Sequence, residues 1–263
     1  MPMRAANRAL AKDCPRRWPD FHPPARDRYA SRRGIIRVPV ANPFSGDCTM
    51  RRVAPLAVLA LTFGLLPGLM NATHAEDAKP LEKDEGEGWI SLFNGKDFTG
   101  WKISDKGLWR IEDGKIVANG PRSHLFTEKE FKNFEFKTEV MTTPGSNSGI
   151  FFHTKFQETG WPDLGYESQV NVTHGDPVKT GSIYYFVKLY KTPAKDNEWW
   201  TQSITVKGKN IVTKINGEVV CDFTEQEGVT GPHKLSSGSM AFQAHDPKSV
   251  VYYRNIRIRP LAD

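Results

Sequence analysis

The chain has 263 residues, with 36 Lys and Arg against 30 Asp and Glu, a formal net charge of +6 and three cysteines. The basic excess lies in residues 1–75, which hold 12 Lys and Arg and 4 Asp and Glu; beyond them stand 24 basic and 26 acidic residues, a net charge of −2. A nucleic-acid or anionic-membrane partner, which calls for a basic face, loses its support.

Residues 1–49 carry seven prolines, many arginines and no hydrophobic period, and read as a disordered or mis-annotated extension. Met50-Arg51-Arg52, an apolar run from Val53 to Met70 and Thr73-His74-Ala75 follow. That is the layout of a signal peptide over residues 50–75, with Met50 the expected start and cleavage after Ala75. Pro55, Pro67 and Gly68 keep the run short of the roughly 20 residues a membrane span needs, so no transmembrane anchor is expected. A periplasmic or secreted product follows. Only Cys221 lies past residue 75, so no intrachain disulfide can staple the exported chain, and an ordinary core must hold it.

Residues 76–88 are rich in Glu, Asp, Lys and Gly and read as a linker. From Trp89 onward, short apolar segments alternate with turn signals. Strands are expected at Trp89–Phe93, Leu108–Ile111, Ile116–Ala118, Asn133–Met141, Ser182–Lys188, Trp199–Val206, Asn210–Ile215, Val219–Phe223, Ser239–His245 and Val250–Arg259. Asn94-Gly95, Asp113-Gly114, Gly208 and Asn216-Gly217 mark turns between them. In Asn133–Met141, Phe134, Phe136, Thr138 and Val140 face one way and Glu135, Lys137 and Glu139 the other, so one face is core. Strands of this number and length, with no helical period and no fixed repeat, indicate an all-β, two-sheet antiparallel jelly-roll sandwich over residues 89–263.

The stretch Gly145–Asn171 stands out. Strand alternation puts Asn147 and His153 on one face of its first segment, and Glu167, Gln169 and Asn171 on one face of its second. Such a row offers hydrogen bonds suited to a hydroxyl-rich ligand. Gln243 and His245, two residues apart, share a strand face, and His245 has a side chain suited to proton transfer. Arg254 alternates with Ile256 and Ile258, which would set a guanidinium on an apolar face with Glu167 as candidate partner. Trp161, Tyr166, Tyr184, Trp199 and Trp200 could stack on sugars or fill a core. His153 and His174 with Asp163 or Asp176 could bind a divalent metal, although the ligand spacing does not support one. No nucleotide, zinc-protease or serine-hydrolase motif is present, and Glu167 has no second acid beside it in sequence to form a glycosidase pair.

Several blocks together resemble the 3-keto-disaccharide hydrolase domain family, which has a concanavalin A-like jelly roll. They are Leu92-Phe93-Asn94-Gly95-Lys96-Asp97, Asn147-Ser148-Gly149-Ile150-Phe151, Gly165-Tyr166-Glu167-Ser168-Gln169, Thr180-Gly181-Ser182-Ile183-Tyr184, Gln243-Ala244-His245 and Arg254-Asn255-Ile256-Arg257-Ile258. The chain departs from the family pattern at His153 and Trp200. The resemblance implies cleavage of glycosides already oxidised to a ketone at carbon 3, with a partner dehydrogenase forming the ketone and no cofactor in this chain. A carbon-3 ketone acidifies the hydrogen on carbon 2, so one base can start an elimination at carbon 1, with hydration following. On this reading His245 or Glu167 is the base. Asn147, His153, Gln169, Tyr184 and Gln243 bind substrate, Trp199 stacks on it and Arg254 orients Glu167. A non-catalytic carbohydrate-binding module is the alternative.

Overall fold

The structure is a computed structural model that describes residues 86–263. The extension, the signal segment and most of the linker assigned from sequence lie outside these residues. Thirteen strands follow in chain order: β1 (Ile90–Ser91), β2 (Trp101–Ile103), β3 (Arg110–Glu112), β4 (Lys115–Asn119), β5 (Ser123–Phe131), β6 (Phe134–Thr142), β7 (Asn147–Thr154), β8 (Tyr166–Asn171), β9 (Trp200–Lys207), β10 (Asn210–Ile215), β11 (Glu218–Thr224), β12 (Gly238–Ala244) and β13 (Val250–Pro260). An eight-stranded sheet runs β11-β10-β9-β6-β13-β4-β3, with β1 also on β13, and a five-stranded sheet runs β2-β5-β12-β7-β8. Every pairing in both is antiparallel. No helix among the described residues is long and apolar enough to cross a membrane. The molecule is the all-β jelly-roll sandwich that the alternation indicates.

The core lies between the two sheets. Phe134, Phe136 and Val140 of β6 are buried, as are Ile150 and Phe152 of β7, Val170 of β8 and Phe242 of β12. Phe242 stacks on Tyr253 of β13 at 4.1 Å between ring centroids, which ties the five-stranded sheet to the eight-stranded one, and on Trp101 of its own sheet at 5.6 Å. Truncating such a ring to alanine costs about 3–5 kcal/mol. Polar bonds cross the core as well. Ser148 Oγ meets Tyr253 Oη at 2.7 Å, and Gln202 of β9 donates to Ser168 Oγ at 2.9 Å and to the Gln169 carbonyl at 3.1 Å. These bonds fix the height of β7 and β8 over the core.

Three local features depart from the expected pattern. Strands β2 and β5 carry no clean alternation: in β5, Leu125 faces the core while His124 and Phe126 are buried on the other side, so both faces are shielded. The stretch Ser182–Lys188 is a set of turns and isolated bridges, not a strand. Tyr185 has φ 69° and the amides of Phe186 and Val187 both donate to the Ile183 carbonyl, closing the chain on itself. This segment still completes the free edge of β8. Gln169 N donates to the Ser182 carbonyl, Gly181 N to the Gln169 carbonyl and Tyr184 N to the Glu167 carbonyl, at 2.9–3.0 Å. Third, β7 and β13 each contain a bulge, where register shifts against β12 and β6. Non-glycine residues sit there at positive φ, His153 at 56° and Asn255 at 50°. A bulge reverses which side chains face the core beyond it.

Candidate functional site

Because Leu125, Phe242, Ile150 and Val170 point into the core, their neighbours line the outer face of the five-stranded sheet. On β5 these are His124 and Phe126, on β12 Ala241 and Gln243, on β7 Asn147, Gly149 and Phe151, and on β8 Glu167, Gln169 and Asn171. The face has two halves. Phe126, Phe151 and Ala241 form an apolar cluster under Phe156. The remainder is polar.

Glu167 anchors the polar half. It pairs in register with Phe151, and its side chain folds over Gly149: a Cβ at Gly149 would stand 2.0 Å from Glu167 Oε1 and 2.8 Å from Cδ. Glycine is required there for space alone, since its backbone is that of an ordinary strand. Burial pushes the Glu167 carboxyl up to about 8, and the like charge of Asp176 adds to the shift. The Gln169 amide satisfies its surroundings when its nitrogen donates to Glu167 Oε1 and to the Ser148 carbonyl, both at 3.2 Å. Asn147 in turn lies 3.4 Å from His174 Nδ1.

A loop rim carries the ionisable groups. In the loop after β8, the Asp176 amide donates to His174 Nδ1 at 3.0 Å, so a neutral His174 carries its proton on Nε2. Tyr184 Oη donates to Asp176 Oδ2 at 3.0 Å. At the end of β12, His245 Nδ1 lies 2.8 Å from Asp246 Oδ2, a bond that in the neutral ring keeps the proton on Nδ1 and makes Nε2 the acceptor. Asp246 also accepts from Ser249 Oγ at 2.7 Å and from the amides of Lys248 and Ser249. Burial alone would raise the Asp246 carboxyl, but the bonds from His245, Ser249 and the Lys248 amide outweigh it and hold the carboxyl at about 2. The rings of His174 and His245 stand 5.5 Å apart, and the half-exposed Trp161 leans on His245 at 5.6 Å. The arrangement joins a carboxyl with a raised pKa, two histidine rings 5.5 Å apart and a row of side-chain amides.

The structure thus brings together Asn147, Glu167, Gln169, Tyr184, Gln243 and His245 of the residues marked in the sequence. Five others lie elsewhere. His153 sits on the β7 bulge, which turns it inward: it is 2 % exposed, its Nε2 meets the Lys132 carbonyl at 2.7 Å, its Nδ1 accepts from the Ser236 amide at 3.1 Å, and burial lowers its pKa. The β13 bulge at Asn255 sends Arg254 to the outer face of the eight-stranded sheet, while Tyr253, Ile256 and Ile258 stay in the core. There Arg254 Nε donates to Glu139 at 2.7 Å and its guanidinium lies 4.1 Å from the Trp199 ring. So Arg254 pairs with Glu139, not Glu167, and Trp199 stacks on Arg254 on the opposite sheet from the polar row. Tyr166 and Trp200 are core residues.

The metal set read from sequence does not assemble either, since His153 is in the core and Asp163 is exposed. His174, His245 and Asp246 instead bring one ligand atom each within 4.8 Å of the others, the group among the described residues that could gather a cation. Asp246 already accepts from four donors, and a cation would require His174 to give up the Nε2 proton that its bond to the Asp176 amide implies. Sequence reasoning also passed over His124 and the roles of Asp176 and Asp246. Asp246, directly after His245, was the most readable of these, because a carboxylate beside a histidine is a common orienting partner.

Residues 88–259 match the family described as 3-keto-alpha-glucoside-1,2-lyase-like domain. A curated relative, the 3-keto-disaccharide hydrolase of Bacteroides thetaiotaomicron, is 37% identical over 81 residues, covering 26% of this chain and 28% of the relative. The chain therefore matches little more than a quarter of that relative's length. A solved structure from Parabacteroides distasonis, given as a candidate glycosyl hydrolase, is 29% identical with a TM-score of 0.58, over 66% of this chain and 94% of its own. A second from the same organism, also given as a candidate glycosyl hydrolase, is 22% identical with a TM-score of 0.54, over 66% and 100%, and shows the shared fold. With the family match extending from just before β1 almost to the end of β13, the chain belongs to the 3-keto-alpha-glucoside-1,2-lyase-like domain family.

Proposed function

We propose that the protein is a carbohydrate-acting enzyme that cleaves glycosides carrying a ketone at carbon 3. The observation that carries this reading is that one polar face holds both Glu167, buried over Gly149 and beside its amides, and His245, bonded to Asp246 at the end of β12. Burial and the charge of Asp176 raise the Glu167 carboxyl to about 8, which suits it to act as an acid, while the bond from His245 Nδ1 to Asp246 directs His245 Nε2 towards the role of base. In this scheme His245 Nε2 takes the proton from carbon 2, and the electron pair moves towards the carbon-3 carbonyl to form an enolate. His174 Nε2 donates a hydrogen bond to the enolate oxygen. As the enolate collapses, the bond from carbon 1 to the leaving oxygen breaks and Glu167 gives that oxygen its proton. Water then adds across the carbon 1–carbon 2 double bond, its hydroxyl to carbon 1 and a proton to carbon 2. Asn147, Gln169 and Gln243 hold ring hydroxyls, and a dehydrogenase acting earlier supplies the ketone. The family match and the curated relative support the substrate class.

The test is incubation of the protein with a 3-keto-disaccharide and with its unoxidised parent, followed by product analysis. Cleavage of the first and inertness of the second are expected, because only the ketone acidifies carbon 2. Equal cleavage of both would overturn the scheme. The half-exposed Trp161 and the exposed Tyr185 favour one alternative, a non-catalytic carbohydrate-binding module, which would bind both sugars and cleave neither. Export through the segment at 50–75 is part of the proposal, and N-terminal sequencing of protein from the source cell should find a first residue near Glu76.

A further inference from the structure

His124 is the least explained polar side chain on the outer face of the five-stranded sheet. It is 0 % exposed, and neither ring nitrogen has a hydrogen-bond partner in the protein. Burial lowers its pKa to about 3, so the ring is neutral. A buried polar group left unpaired costs about 1–3 kcal/mol, and a phenylalanine would fill the same aromatic pocket without that loss. The pocket walls are Phe151 at 5.3 Å, Phe126 at 6.0 Å and Trp161 at 5.6 Å. Of these, only Trp161 comes from a loop, and at 44% exposure it is the wall that can move. The same ring touches His245, and glycines at positive φ stand close by on either side of it, Gly160 at 94° and Gly165 at 77°. His124 is paired in register with Gln243, the central amide of the polar row.

We propose that His124 and Trp161 form a gated sugar subsite: Trp161 swings aside to stack on the apolar face of the oxidised ring, and the uncovered His124 hydrogen-bonds the ring's hydroxyls. A neutral imidazole has one donor and one acceptor nitrogen, the pair that a hydroxyl both accepts from and donates to. The placement suits one sugar ring. Glu167 leans over Gly149 on β7, two strands from β5 and so about 10 Å away. A ring whose carbon 1 faces Glu167 and whose carbon 2 faces His245 therefore turns its far hydroxyls to His124. This subsite rests on the carbohydrate reading given above.

The experiment measures binding, not turnover. In a Glu167→Gln background, calorimetric titration with a 3-keto-disaccharide is compared for His124→Phe, Trp161→Ala and the parent, alongside thermal melts. His124→Phe is expected to melt at or above the parent temperature and to bind at least ~10-fold more weakly, since it loses hydrogen bonds to the ligand. Trp161→Ala is expected to weaken binding while folding normally. Undiminished affinity in His124→Phe would overturn the subsite and leave the carbohydrate reading standing. Absence of sugar binding by the Glu167→Gln parent would overturn both.

Discussion

The outer faces of the two sheets both carry charged and polar side chains, but they use them in opposite ways. On the eight-stranded sheet, the buried Glu139 accepts from Arg254 and from Asn255, Trp199 lies under the guanidinium, and Arg259 pairs with Glu135 beside Trp89. Charge meets charge, and the groups are consumed by the fold. On the five-stranded sheet, burial and a like charge raise the Glu167 carboxyl, and neither ring nitrogen of His124 has a hydrogen-bond partner. Polar groups whose bonding capacity the fold does not use are the ones left for a ligand. Residue type alone would not have separated the faces, since both hold an acid, an aromatic ring and a basic or imidazole side chain.

The largest expected effect is on the unused face. His245→Ala and Glu167→Gln should each lower turnover of a 3-keto-glycoside by about 10²–10⁴ with the fold intact, as expected for proton-transfer groups. Asp246→Asn should act through His245 by disturbing its tautomer, and a conservative Asp246→Glu should recover part of the loss. On the consumed face, Arg254→Ala should cost about 3–5 kcal/mol of stability by leaving Glu139 buried without its ion pair. Denaturant melts should show that loss, while the KM of the folded fraction stays unchanged. A raised KM would return Arg254 to the substrate site.

Smaller changes sharpen the picture. Gly149→Ala should keep the fold but push the Glu167 carboxyl from its place, lowering kcat by about 10-fold, on the order of the cost of a small misplacement. A wild-type kcat in this variant would show that Glu167 does not act from over Gly149. The pH dependence follows from the raised Glu167 pKa. Acting as an acid, Glu167 should lose function as pH rises through about 8. For stability, the native state holds this proton above the unfolded value of 4.5, so the contribution is fully present below 4.5 and is lost as pH rises to about 8. Glu167→Gln should abolish that decline, so the melting-temperature gap between variant and wild type should widen in the variant's favour from pH 5 to pH 8.

Much of the sandwich was legible in the sequence because one-sided burial writes a period of two into the chain. Strand β10 was read at Asn210–Ile215, its observed bounds, and β6, β9, β11, β12 and β13 within a residue or two. β5 escaped because the loop bearing Phe156 and Trp161 covers its outer face, erasing the alternation. The candidate site was legible where strands are regular, at Asn147, Glu167, Gln169 and Gln243. It failed past each bulge, where one extra residue carried His153 into the core and Arg254 to the outer face of its sheet. Asn255, a residue type tolerant of positive φ, was a faint signal of the second bulge, and His153 gave none. Contacts made across loops, such as Asp176 near Glu167, depend on tertiary approach and leave no local trace.

The most direct measurement is turnover of a 3-keto-disaccharide in deuterated water, stopped early, with the position of deuterium in the product read by NMR. Removal of the carbon-2 proton by His245 and later return of one from solvent should place deuterium at carbon 2, with none there after His245→Ala. Efficient cleavage with hydrogen retained at carbon 2 would contradict elimination.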